Sequence, residues 1–170
     1  MTVCISLTRD TDLLCRQAAL DRCKLNDQRR GSIPDKKIHS AAGSFDIEYT
    51  SIRAEVAVAI FFRGTATALK NPTSINLPDV ICLSGEEMEV KYTKYPHGRL
   101  LYRLDRLNKL QNTPPKWLVS ATGVQGDNSI CVRHMVSPET FLRRYREWDS
   151  GWAIGAAMTE GDLDQWGWRL

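Results

Sequence analysis

The sequence predicts a single α/β domain, and three observations carry that prediction. The chain has 170 residues with 42% hydrophobic content, enough to bury one sizeable core without a second domain. Segments with apolar residues at three- and four-residue spacing, the mark of amphipathic helices, alternate with short β-prone runs bounded by Gly and Pro. Within residues 77–92, two such runs flank Ser84-Gly85 and read as a β-hairpin on which polar and apolar side chains alternate. The expected plan is an N-terminal helix and basic loop over residues 1–44, a core over 45–136, and a C-terminal helix with a Trp-rich tail over 137–170.

Each element has a local reason. Asp10, Thr11 and Asp12 offer N-caps for a helix whose stripe runs through Leu13, Leu14, Ala18 and Leu25. Residues 26–44 are polar, hold Gly31, Pro34 and Gly43, and carry Arg29, Arg30, Lys36 and Lys37. They read as a loop, either plain surface or a flap that grips a phosphate backbone. A second helix spans 45–62, where Ile52, Val56, Ala59 and either Val58 or Ile60 build an apolar face around Glu55. Gly64 ends it, and residues 65–69 are β-prone enough for a strand ahead of the hairpin.

Past the hairpin, residues 99–107 place Leu100, Leu101, Leu104 and Leu107 on one helical stripe and Arg99, Arg103 and Arg106 on another. This predicts a helix with a basic ridge, available to phosphates or simply solvated. Pro114-Pro115 breaks that helix. Residues 116–123 then read as a central strand, Gly126-Asp127-Asn128 as a turn, and 130–136 as the returning strand. Ser137 can cap and Pro138 can open a helix bearing Phe141, Leu142, Tyr145 and Trp148. The tail carries Trp152, Trp166 and Trp168, suited to covering the core, stacking on bases or meeting a protein partner.

Charge and cysteine content narrow the class. A formal net charge of +3 does not by itself announce nucleic acid, so the distribution of charge matters more than its sum. The cysteines at positions 4, 15, 23, 82 and 131 are odd in number and widely spaced. They suggest neither a disulfide framework nor a structural zinc, and reduced thiols in the cytoplasm are the expectation. A basic start followed by an apolar run is lacking at the N-terminus, as is any stretch of about 18 apolar residues, so neither a signal peptide nor a membrane span is expected.

The chemistry concentrates on the hairpin. With a period of two, Glu89 and Lys91 share one strand face while Met88, Val90 and Tyr92 take the other. Asp79, on the first strand after Pro78, faces Lys91 if the connection holds an odd number of residues, which Gly85 in a three- or five-residue loop permits. Two carboxylates can hold a hard divalent cation, and a lysine beside them can orient a water or neutralise a reacting phosphate. The plain alternative is a solvated strand face for Glu89 and Lys91, and for Glu55 an ordinary pairing with Arg53 or Arg63. His97, between Pro96 and Gly98, reads as an exposed loop residue, and His39 and His134 show no pairing pattern.

Pro78-Asp79, then Glu89-Val90-Lys91 after a turn, with Glu55 on the upstream helix, resembles the signature of the PD-(D/E)xK, or restriction-endonuclease-like, nuclease superfamily. The resemblance covers about residues 45–136. It implies a core of a helix, a three-stranded meander, a second helix and a further strand. It also implies Mg²⁺, with Mn²⁺ able to substitute, held by Asp79, Glu89, the backbone carbonyl of Val90 and Glu55, with Lys91 assisting the attacking water. Lys94, Arg99, Arg103 and Arg106 are the candidate nucleic-acid contacts. The expected activity is DNA endonuclease action on duplex or branched DNA, structure-selective or weakly sequence-specific, by a possible homodimer. Two other classes stay open: a catalytically inactive nucleic-acid-binding module of the same fold, and a protein-interaction protein using the Trp-rich tail.

Overall fold

In the computed structural model, which describes residues 3–30, 41–72, 77–95, 97–123, 128–149 and 154–170, a mixed sheet is faced by helices on one side and by a smaller sheet with short helices on the other. Strand β1 (Val3–Ser6) precedes helix α1 (Arg9–Arg30), which is followed by α2 (Ala41–Phe61). Thr8, not the downstream aspartates, caps α1: its Oγ1 accepts from the Thr11 N–H at 3.2 Å. The expected loop at 26–44 is overturned at both ends, because polar residues 26–30 continue α1 and α2 begins before Phe45; residues 31–40, with Lys36 and Lys37, lie outside the described residues.

The stripe expected on α1 is also rotated. Leu13 and Leu14 are 55% and 59% exposed, while Cys15, Ala18 and Ala19 are buried. Small residues let α1 lie close to α2, so proximity of the backbones outweighs the size of the leucines. Helix α2 is the central support: Ile52, Ala54, Val56, Ala57, Val58 and Ala59 are all buried, while Ile60 is exposed. A helix apolar on nearly every side has neighbours on nearly every side, here α1 and the main sheet.

The meander follows. Strand β2 (Thr65–Ala66) is shorter than expected because residues 67–70 form helix α3 (Thr67–Lys70). Strands β3 (Val80–Ile81) and β4 (Glu87–Thr93) are antiparallel, and the Cys82 N–H donates to the Glu86 carbonyl, closing a three-residue turn in which Gly85 takes φ +82°. Residues 100–103 then overturn the expected helix: they form strand β5 (Leu100–Arg103). Leu100 and Tyr102 are buried and Leu101 and Arg103 exposed, so the alternation of period two won over a leucine stripe that could be read either way. A 3₁₀ turn at Leu104–Arg106 leads to α4 (Leu107–Asn112), which stops before Pro114.

Strand β6 (Trp117–Gly123) returns parallel to β4, and β7 (Ser129–Val136) pairs antiparallel with β6, with a register shift after Ser120. The main sheet runs β1-β7-β6-β4-β3-β2. Helix α5 (Pro138–Arg144) is capped as expected, the Ser137 hydroxyl accepting from the Thr140 N–H at 3.1 Å. It ends before Tyr145 and Trp148, because the tail turns into β8 (Arg146–Asp149), β9 (Ile154–Met158), α6 (Glu160–Trp166) and β10 (Trp168–Arg169). Strands β5-β9-β8 make the second sheet, whose core around Leu100, Phe141, Met158 and Leu163 lies on the Leu118 and Val136 face of the main sheet.

Two features bind the chain's ends to β7. Cys4, paired in register with Cys131, is joined to it by a disulfide, which overturns the expectation of reduced thiols for these two cysteines; their sequence separation of 127 hid the pairing from a reading by spacing. Cys15, Cys23 and Cys82 form no disulfide. Strand β10 occupies the same edge of β7: Trp168 faces Met135, Arg169 faces His134, and the Leu170 N–H donates to the Arg133 carbonyl. Val3 faces Val132, the next residue along.

Candidate functional site

The site forms where the hairpin splays. Strand β4 is paired with β6 along Met88 to Thr93, but with β3 only at Glu87 and Met88, because β3 is two residues long. Pro78, lacking an N–H, cannot prolong the ladder. Continued by one rung, the register sets Asp79 across from Glu89 rather than Lys91. Since the Cys82–Glu86 pair is hydrogen-bonded and pairs alternate, Asp79 and Glu89 occupy a non-hydrogen-bonded rung, where side chains approach most closely. An Oδ2 of Asp79 accepts from the Val90 N–H at 2.7 Å, satisfying a backbone donor that β3 leaves unpaired. Lys91 Nζ donates to Glu89 Oε1 at 2.6 Å and lies 4.9 Å from the centre of the Tyr102 ring. Asp79, Glu89 and Lys91 are therefore brought together, each half-buried.

Glu55 comes from the opposite side of β4. On α2 it is 4% exposed, and both of its oxygens accept from Arg22 of α1, at 3.0 and 3.2 Å. The Nε of Arg22 donates to the Pro72 carbonyl at 3.1 Å, and its Nη1 lies 3.7 Å from Glu48. Glu48 in turn accepts from Asn26 Nδ2 at 3.0 Å. Residues four apart on α1 thus meet residues seven apart on α2, the spacing at which helix neighbours repeat a face. Neither Arg53 nor Arg63 is the partner of Glu55; Arg53 pairs with Asp12 at 3.1 Å.

Burial and neighbouring carboxylates together raise the acids of the cluster. Burial first, then the charge of Glu89, pushes the Asp79 carboxyl up to about 6, against the pull of Lys91, the Val90 N–H and Arg22. Burial and then Asp79 push Glu55 upward as well, with Arg22 opposing. Burial works against the charge on Arg22, but Glu55 overrides it and raises the guanidinium further. The fork geometry, with both carboxylate oxygens accepting, favours the ion pair, and the upward push on Glu55 comes from burial first and the nearby charge of Asp79 second. Burial, then Glu89 and Asp79, pushes the Tyr102 hydroxyl up.

Two adjoining clefts give access. One, of about 230 Å³, is lined by Arg22, Glu48, Asp79 and Glu89 among others, and a second, of about 280 Å³, by Lys91, Tyr102 and Arg103. Glu89, Arg106 and Lys109 line both. Of the four expected nucleic-acid contacts, Arg103 and Arg106 therefore flank the site. Lys94 and Arg99 are exposed elsewhere, Lys94 over Tyr95 and Arg99 over Trp148 at 5.0 Å. Sequence reading missed Arg22, Tyr102 and Lys109; only Lys109, three residues beyond Arg106, carried a signal in its spacing.

Among the described residues, no group of three or more His, Cys, Asp or Glu side chains is placed to hold a metal ion. The two facing carboxylates and a neighbouring carbonyl remain a donor set of the kind Mg²⁺ uses, since that ion takes one or two carboxylates and keeps several waters. A different alignment, Ser120 Oγ to His134 Nδ1 at 3.5 Å and His134 Nε2 to Asp164 at 2.8 Å, gives His134 the partner that its sequence context did not suggest. Ser120 and His134 are both buried in the sheet, and the pair ties α6 to β7. Among the described residues no helix is long and apolar enough to cross a membrane. No protein-family model matches this chain, and no curated protein is significantly similar to it.

Proposed function

We propose that the protein is a metal-dependent DNA endonuclease of the PD-(D/E)xK type. One observation carries the reading: Asp79, with Glu89 ten and Lys91 twelve residues further along the chain, meets both at the splayed end of a hairpin beside two cation-flanked clefts. The order of α2, the β2-β3-β4 meander, a crossover through α4 and the parallel strand β6 supports a restriction-endonuclease-like core.

In this reading the carboxylates of Asp79 and Glu89 and the carbonyl of Val90 hold Mg²⁺ or Mn²⁺. The ion, when bound, supplies positive charge to the phosphate and acidity to a water. Lys91, held by Glu89 and backed by the Tyr102 ring, orients the attacking water. An oxygen–phosphorus bond forms to that water as the bond to the leaving sugar oxygen breaks; the water's proton passes to solvent and the departing sugar oxygen takes one up from solvent, leaving a phosphate monoester and a hydroxyl end. Arg103, Arg106 and Lys109 receive backbone phosphates, a contact that weakens with salt. Cleavage of both strands of a duplex calls for two sites, hence a homodimer.

The test is cleavage of plasmid, single-stranded and branched DNA with Mg²⁺ or Mn²⁺, comparing wild type with Asp79→Asn and Lys91→Met. Both variants are expected to lose at least about 10²-fold in rate while still binding DNA. Intact DNA affinity without cleavage by wild type would transfer the fold to the binding-module reading. A protein-partner reading draws on Trp166 and Trp168, which are 40% and 54% exposed; Trp152 lies outside the described residues. Loss of a pull-down partner on Trp168→Ala, with no cleavage by wild type, would favour it.

A further inference from the structure

The acid cluster already contains a cation. Glu48, Asp79 and Glu89 line one cleft, and Arg22, which lines it too, reaches from α1 to the buried Glu55 with both terminal nitrogens and lies close to Glu48 with one. Arg22 sets its charge against Glu55 and Glu48, and Lys91 sets its own against Glu89. Ligation by Glu55 needs an oxygen lone pair aimed at the ion, yet the guanidinium fork spans both oxygens of a carboxylate that is 4% exposed. Arg22 is itself fixed by the Pro72 carbonyl, so it is not free to swing aside.

Resting on the metal-dependent reading above, we propose that Arg22 is a positioning residue that fills the second-cation place and withholds Glu55 from the metal, making this a one-ion site built on Asp79 and Glu89. The resemblance assigned Glu55 to the ligand set; its engagement by Arg22 takes it out. Arg22 then acts through Glu55, contributing a fixed positive charge near the reacting phosphate without requiring a second ion to be captured from solution. The same arrangement makes α1, which lies outside the meander, part of the site.

The experiment counts Mn²⁺ bound to the metal-stripped protein by calorimetry and by electron paramagnetic resonance, without substrate. Wild type is expected to bind one ion, and Glu55→Gln to bind one with affinity within about 10-fold of wild type, the change set by lost charge alone. Arg22→Gln, which frees Glu55, is expected to admit a second ion; Arg22→Lys, which restores the charge, should return the count to one. Loss of the ion in Glu55→Gln, two ions in wild type, or a count of one in a folded Arg22→Gln would each overturn the proposal. Should Arg22→Gln fail to fold by circular dichroism, the Glu55→Gln and Arg22→Lys counts still decide it. A wild type that binds no Mn²⁺ removes the metal reading together with the role of Arg22, whereas one ion lost with Glu55 removes only the latter.

Discussion

Asp79 bears the strain of the site, and its titration exposes that strain. Its carboxyl is pushed up to about 6 from an ordinary 3.8, so between those values the folded state binds a proton that the unfolded state has released. Stability therefore falls as pH rises through this window, and Glu55, also pushed upward, extends the fall to higher pH. Metal-free protein is expected to lose about 1–3 kcal/mol between pH 4 and 6.5 from Asp79, seen as a falling Tm. Asp79→Asn should flatten that part of the profile. Millimolar Mg²⁺ is expected to raise Tm at pH 8 more than at pH 5, because only the ionised carboxylates bind it. Glu89, Lys91 and Asp79 were legible in the sequence because they sit on two adjacent strands, where period two and an odd turn fix their faces. Arg22 and Tyr102 were not, since they arrive from elements that no local pattern connects to the hairpin.

Helix α2 carries Glu55 and must stop where β2 can turn back under the sheet. Its end is a Schellman motif: Gly64 N–H donates to the Ala59 carbonyl at 2.7 Å and Arg63 N–H to that of Ile60 at 3.2 Å. The left-handed position falls on Arg63, at φ 52°, not on the glycine. Gly64 is small for another reason, as a Cβ there would meet the Ile81 carbonyl oxygen at 2.5 Å. Arg63→Gly is thus expected to stabilise by up to about 1 kcal/mol. Gly64→Ala should cost at least about 1 kcal/mol and loosen the β2–β3 pairing; urea melts and amide exchange at Ile81 test both. Gly64 was readable as a helix stop, but which residue took the left-handed turn was not, because the space over β3 decided it. The strand at Leu100–Arg103 failed for a related reason: two leucines, a tyrosine and an arginine fit either period, and only the second sheet, built partly from residues 154–158, selects the strand.

Across the whole molecule, the Cys4–Cys131 disulfide closes a loop of most of the chain. The unfolded state loses freedom roughly as the logarithm of that loop, so reduction is expected to lower stability by about 2–5 kcal/mol. Denaturant midpoints with and without reductant, alongside Cys4→Ser, measure it, and a midpoint unmoved by reductant would count against the crosslink in solution. No such pairing could be read from spacing, because β1 itself, four residues with a half-exposed pattern, gave too little signal to be seen.

Along the outer edge of β7, residues 168 to 170 face Met135, His134 and Arg133, and residues 3 to 6 face Val132 to Ser129. Both segments run the same way, so β10 hands over to β1 as though a single strand had been cut between Leu170 and Val3. A covalent bond at that cut would leave every rung in place. A circularly permuted chain, with Leu170 joined to Val3 and new ends opened between the exposed Thr113 and Pro114, is expected to fold to the same circular dichroism spectrum. In that chain the seam between the two segments becomes the interior of one continuous strand, and fraying moves to the new ends near α4, beside the cleft that Lys109 lines.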